Sequence, residues 1–248
     1  MAAARFGGAQ AALVLAALLI SSPALGQQTL VIFAPTDLPL GNEARTGFLD
    51  VLATEALRRI GVGLELIELP AERALINANA GIDDGNITRI AGLEKFYPNL
   101  VRVPEKMIDM DFVAFTRHVE IQTDGWQALK PFSIGIIKGW KILENNIPGE
   151  AKVTLADDVE QLFRLLEKDR VDLVIYTRWR GLARIKRHKL SGVRVLTPPL
   201  VTKEMFMYLH KKHKHLVPKI AAALRAIKAE GTYQRLFQEK VAPLATED

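Results

Sequence analysis

From Leu30 onward the chain alternates short apolar runs with stretches of helical periodicity, and it passes through that alternation twice. Leu30-Val31-Ile32-Phe33 is an apolar run that ends in Ala34-Pro35-Thr36-Asp37, which predicts a buried strand running into a loop. Residues 48–60 are apolar at 48, 49, 52, 56, 57 and 60, the spacing of one helix face, and Gly61 follows as a stop. Residues 64–69 alternate as a second strand, and Pro70 opens a helix that Gly81 ends. Residues 82–87 predict a short strand and turn. The order β-α-β-α-β argues for a parallel sheet with helices on both faces. The second round has strands at 132–137, 153–155, 171–176 and 193–196. Its helices are expected near 141–145, from a cap at Asp157 or Asp158 to Lys168, and over 178–189, which is basic and amphipathic. Residues 109–116 join the two units. Residues 216–240 are helical, divided by Gly231, and no short repeat or low-complexity segment is present.

The first residues have a different character. Arg5 gives a positive start, residues 11–20 are an unbroken apolar run, Ser21-Ser22-Pro23 break it, and Ala24-Leu25-Gly26 offers small residues where a signal peptidase reads. The expectation is a signal peptide over 1–26, cleaved before Gln27, and a periplasmic mature chain. The run is too short for a membrane anchor, which needs about 20 apolar residues. It has no polar face to suit it to a core helix. No Cys follows it, so a lipid anchor is excluded.

Net charge narrows the partners. The chain carries +5, one less once Arg5 is removed, with Lys and Arg spread along its length apart from His210-Lys211-Lys212-His213-Lys214-His215. A nucleic-acid binder would show a concentrated stripe with interleaved aromatics, so no nucleic-acid partner is expected. The absence of Cys leaves the fold to its core and removes thiol chemistry. The histidines of the basic cluster lack the converging support of a metal site, so that segment reads as a solvated turn and no metal or cofactor is expected.

Several phrases then carry a resemblance: TLVIFAPTDLP after the exported start, PAERALINANAGIDDG, VDLVIY after LLEKDR, and IKAEGTYQRLFQEK near the end. In this order and spacing the mature chain resembles the bacterial extracellular solute-binding proteins of family 3. That implies the α/β, two-lobed type 2 periplasmic-binding-protein fold, each lobe a mostly parallel sheet flanked by helices. Lobe 1 would hold residues 27–115 and 203–248, and lobe 2 residues 116–202, with two hinge crossings near 112–116 and 199–203. The resemblance implies a monomeric receptor that closes around a small anionic or zwitterionic solute and delivers it to an inner-membrane ABC permease. Two alternatives stay open: a periplasmic enzyme on the same fold, such as a cyclohexadienyl-type dehydratase, and a binding protein that signals to a sensor kinase. Of the enzyme's requirements, an acid or base, the cleft loops offer only Asp37, Glu72 and Glu204 and no catalytic constellation, so no catalytic residue is expected.

In such a fold the ligand lies beyond the carboxyl ends of the parallel strands. Thr36 and Asp37 follow the first strand. Asn86, Thr88 and Arg89 follow the third. Arg73 opens the second helix, Lys138-Gly139-Trp140 follow a lobe-2 strand, and Tyr176-Thr177 follow another. The resemblance implies that Arg89 clamps a ligand carboxylate with its planar fork; the alternative is a surface Arg paired with Glu94. Arg73 would turn into the cleft or lie on the helix surface. Lys138-Gly139 would hold an anion with free N–H groups or be an ordinary turn. Trp140 could stack on a ligand, whereas Trp126 reads as lobe-2 packing. Amino-acid-binding members carry an Asp just past the 171–176 strand, where it pairs with the ligand ammonium; Tyr176 and Thr177 stand there instead. Asp37 could substitute, and an organic acid fits as well as an amino acid.

Overall fold

The computed structural model of the chain describes residues 1–2 and 28–245. The signal peptide expected over 1–26 therefore falls, apart from its first two residues, outside the described residues.

The first unit follows the alternation closely. Strands β1 (Thr29–Phe33), β2 (Gly63–Ile67) and β3 (Gly85–Ile90) enclose helices α1 (Phe48–Arg58) and α2 (Ala71–Ala80), and β1 pairs in parallel with both β2 and β3. The apolar stripe of α1 is buried at Phe48, Leu49, Leu52, Ala53, Ala56 and Leu57, as the spacing dictates. Strand β4 (Leu100–Thr116) follows and is 17 residues long, far beyond an ordinary strand of about six. In the second unit come β5 (Ser133–Ile137), α3 (Lys141–Glu144), β6 (Lys152–Ala156), α4 (Val159–Glu167), β7 (Leu173–Thr177) and α5 (Arg178–His188). Asp158 is the cap of α4, accepting the Gln161 N–H at 2.7 Å. After β8 (Arg194–Val195) the chain returns through β9 (Val201–His210), α6 (Val217–Ala229) and α7 (Thr232–Lys240).

The strand order is β2-β1-β3-β9-β4-β7-β5-β6, with β8 beside β4. β4 belongs to both halves. It pairs antiparallel with β9 from Leu100↔His210 to Phe112↔Val201, and its last residues pair antiparallel with β7 from Phe112↔Thr177 to Thr116↔Leu173. Each half therefore has parallel pairs at its outer side, as expected, and antiparallel pairs where β4 and β9 run. The reason is that β4 and β9 link the halves directly instead of through a crossover helix. Helix α7 closes the first half: Tyr233 and Phe237 set their rings edge-on to Phe48 at 5.2 and 5.7 Å. The other side of Phe237 meets Trp179 of α5 at 5.6 Å.

The basic cluster also differs from expectation. His213 is buried, not solvated, and its Nε2 lies 2.6 Å from Asp84 Oδ1. The sequence shows only the charge of the segment; the partner comes from 129 residues away.

Candidate functional site between the two halves

Arg89 comes first among the candidate residues. It sits within β3, opposite Phe206 of β9, and not in a loop beyond the strand. Pairing with β9 extends the strand past Asn86, and the register shifts between Asn86 and Arg89. In a regular strand, residues three apart point to opposite faces; the irregularity brings them together. Asn86 Oδ1 consequently accepts from Arg89 Nε at 3.1 Å and from Nη2 at 2.7 Å, and Nη2 also reaches the Ala71 carbonyl at the start of α2 at 2.9 Å. The guanidinium lies over the Phe33 ring, 4.9 Å from its centroid. Every one of these partners is neutral. Among the described residues no carboxylate lies within ion-pair distance of Arg89, and Nη1 makes no hydrogen bond. Glu94, weighed above as its surface partner, instead accepts from the Tyr208 hydroxyl at 2.9 Å. Burial pulls the Arg89 pKa down to about 10; Tyr97 opposes that shift and the positive charge of Arg180 adds to it.

Asn86 and Thr88 are both buried, so the first orients Arg89 and neither lies open as a loop residue would. Thr36 donates to Glu68. Arg73 is exposed on the first turn of α2 and has no ion-pair partner among the described residues.

From the second half come Tyr176, Thr177 and Arg180. Tyr176 and Thr177 are the last residues of β7 and are buried. Tyr176 stacks on Trp140 at 5.2 Å and meets Phe163 edge-on at 6.0 Å, which spends Trp140 on packing. The Tyr176 hydroxyl donates across to Asp37 Oδ2 at 3.4 Å, and burial, with the Asp37 charge, pushes its pKa above the usual tyrosine range. Arg180 Nη1 reaches the same oxygen at 3.8 Å. Asp37 is thus one point where the two halves touch, as the Phe237–Trp179 contact is another.

The Lys138-Gly139 turn has its backbone donors engaged within the chain. Gly139 has φ +83°, but its N–H already donates to the Glu144 carboxylate at 2.7 Å, and that of Lys138 donates to the Ala156 carbonyl. With those donors used and both residues exposed, the turn has no free backbone N–H pair for an anion.

Arg180 is the residue that sequence reasoning missed. The rule that selects Arg73, a first-turn Arg in the helix after a strand, applies equally to it. Close packing sets its helix in place. Gly181 lies so near Phe115 that a Cβ there would fall 2.1 Å from the ring. The face of α5 bearing Arg180, Arg184, Arg187 and His188 lines a pocket together with Thr36 and Asp37. The Nε atoms of Arg180 and Arg184 and the Thr177 hydroxyl are buried without a hydrogen-bond partner. Each such group costs roughly 1–3 kcal/mol.

The fold recurs in solved structures. An ancestral arginine-binding protein bound to arginine is 20% identical with a TM-score of 0.69, over 86% of this chain and 97% of that one. The GluR0 ligand-binding core in complex with L-glutamate has a TM-score of 0.75 at 10% identity, covering 87% and 99%. The GluR0 core of Nostoc punctiforme, also with L-glutamate, reaches 0.71 at 18% identity, covering 85% and 98%. In sequence, an uncharacterized protein of Shewanella oneidensis is 27% identical over 199 residues, which is 77% of this chain and 74% of that one. No protein-family model matches the chain. The chain has the two-lobed type 2 periplasmic-binding fold, the fold implied by its resemblance to family 3 solute-binding proteins.

Proposed function

We propose that this chain is an exported, periplasmic solute-binding protein that captures a small carboxylate-bearing molecule, an amino acid or an organic acid, for an ABC importer. It acts by binding and closure, not catalysis. Lobe 1 comprises residues 27–115 and 203–248, lobe 2 residues 116–202, and the hinge lies where β4 and β9 cross between them. The neighbours of known structure support this reading, since the three described above as complexes hold arginine or L-glutamate. The observation that carries it is Arg89: a partly buried guanidinium, oriented by Asn86 and the Ala71 carbonyl, with no carboxylate partner among the described residues. A cation drawn out of water is costly without an anion, and a planar fork fits a carboxylate best.

The test is calorimetry of wild type, R89K and R89A against L-glutamate, L-glutamine, L-arginine and glutarate, with circular dichroism to confirm folding. Truncation of a buried charged partner costs on the order of 2–5 kcal/mol. R89A is therefore expected to lose at least about thirtyfold in affinity for whichever compound binds. R89K, which keeps the charge but not the fork, should also bind more weakly. Unchanged affinity in both variants would remove Arg89 from the site and defeat the proposal.

A further inference from the structure

Arg180 has no place in the reading so far. Its side chain is only 11% exposed, yet it makes no hydrogen bond among the described residues, and its one ion pair, to Asp37, is long at 3.8 Å. Its neighbour on the same helix face is anchored: Arg184 pairs with Glu160 and lies over the Phe163 ring. Arg180 is thus a near-covered guanidinium with its donors unspent, lining a pocket that lobe 1 closes with Thr36 and Asp37. Arg89 stands on the lobe 1 side: its guanidinium lies over the ring of Phe33 at the end of β1, from which the chain runs into Thr36 and Asp37.

Positive charge dominates this space. Arg180, Arg184 and Arg187 line the pocket, and Asp37 is the one carboxylate among its described lining residues, with the Tyr176 hydroxyl and Arg180 on one of its oxygens. A ligand ammonium would have Asp37 alone to meet it and three arginines to repel it, whereas an anionic ligand would find the unspent donors of Arg180. Guanidinium groups donate and never accept, so the inventory selects for negative charge at both ends of the ligand.

Resting on the carboxylate reading of Arg89, we propose that Arg180 is a second anion grip and that the ligand is a dicarboxylate without an ammonium group. One carboxylate meets Arg89 in lobe 1 and the other meets Arg180 in lobe 2. The ligand then bridges the lobes, and Arg180 exchanges its long contact with Asp37 for a direct one.

The experiment is calorimetry of the mature protein with succinate, glutarate and adipate, each against the monocarboxylate of equal chain length, and with L-glutamate against glutarate. In wild type the best dicarboxylate is expected to bind at least about tenfold tighter than its monocarboxylate, the scale of one charge-assisted contact. L-Glutamate is expected to bind more weakly than glutarate. R180Q should weaken the dicarboxylate much more than the monocarboxylate and so close most of the gap between them, while R89A should weaken both. If R180Q does not fold, the wild-type panel still decides, because it needs no variant. Tighter binding of L-glutamate than glutarate, or a dicarboxylate preference that survives in R180Q, overturns the proposal. Binding of L-arginine or L-glutamine with no dicarboxylate binding overturns it too, yet leaves Arg89 as the carboxylate clamp. Failure of every carboxylate tested removes both readings at once.

Discussion

Asp84 shows how one residue ties distant parts of the chain together. Its Oδ2 accepts the Val31 N–H of β1 at 2.8 Å, and its Oδ1 lies 2.8 Å from Lys212 and 2.6 Å from His213. Burial alone would raise its pKa; the hydrogen bonds from Lys212, Val31 and His213 outweigh burial and hold it below the usual carboxylate value. A folded pKa below the unfolded one, about 3.9, means the stabilisation is complete above that pH and is lost as pH falls through the folded value. D84N should therefore destabilise the fold by about 2–3 kcal/mol at pH 7, and the gap to wild type should close below about pH 4. Urea unfolding of both proteins from pH 7 to pH 3 measures this; a gap that stays constant with pH would show that the charge of Asp84 contributes nothing. At this scale the sequence was legible in part. Arg89 stands out from its position after the short strand expected over 82–87, but its orientation depends on a bulge against β9 that no local pattern encodes. His213 reads as part of a charged turn because its partner is remote in sequence.

At the scale of elements, local chemistry is enough to place the helices. Asp158 caps α4, and Gly81 and Gly231 take positive φ where α2 ends and α7 begins. Removing the cap with D158A should cost about 1 kcal/mol. Contacts between elements are more demanding. Gly181 permits α5 to lie against Phe115 of β4, and G181A would drive a methyl into the ring. Overpacking of this kind costs typically about 1–3 kcal/mol, so the melting temperature should fall by several degrees, and because α5 carries Arg180, ligand affinity should fall with it. A G181A protein with wild-type melting and affinity would mean that the helix can shift freely. The strands that the periodicity misjudged are β4 and β9. Their residues change surroundings along their length, from one lobe's core to the interlobe region, so neither a two-residue alternation nor a single apolar run persists through them.

At the scale of the molecule, the chain's return through β9, α6 and α7 decides the architecture. α7 packs on α1 through Phe48 and touches α5 through Trp179, so residues after 200 complete the first half. Fragments cut near residue 116 are expected not to fold independently, since the first would lack β9; limited proteolysis and circular dichroism of the separate pieces check this. Closure of the lobes on ligand should appear as a smaller radius of gyration in solution scattering. The tandem α/β pattern made the two units legible, but the pairing of a C-terminal strand with β3 and β4 is a long-range choice that periodicity does not carry.

If Arg89 holds the carboxylate of a ligand enclosed between the lobes, the ligand should leave with it. Native mass spectrometry of gently purified wild type and R89A weighs and identifies what each carries. A small carboxylic acid should be bound to wild type and lost from a folded R89A. A neutral sugar or a carboxylate-free cation in wild type, or the same acid retained at full occupancy by R89A, would contradict it.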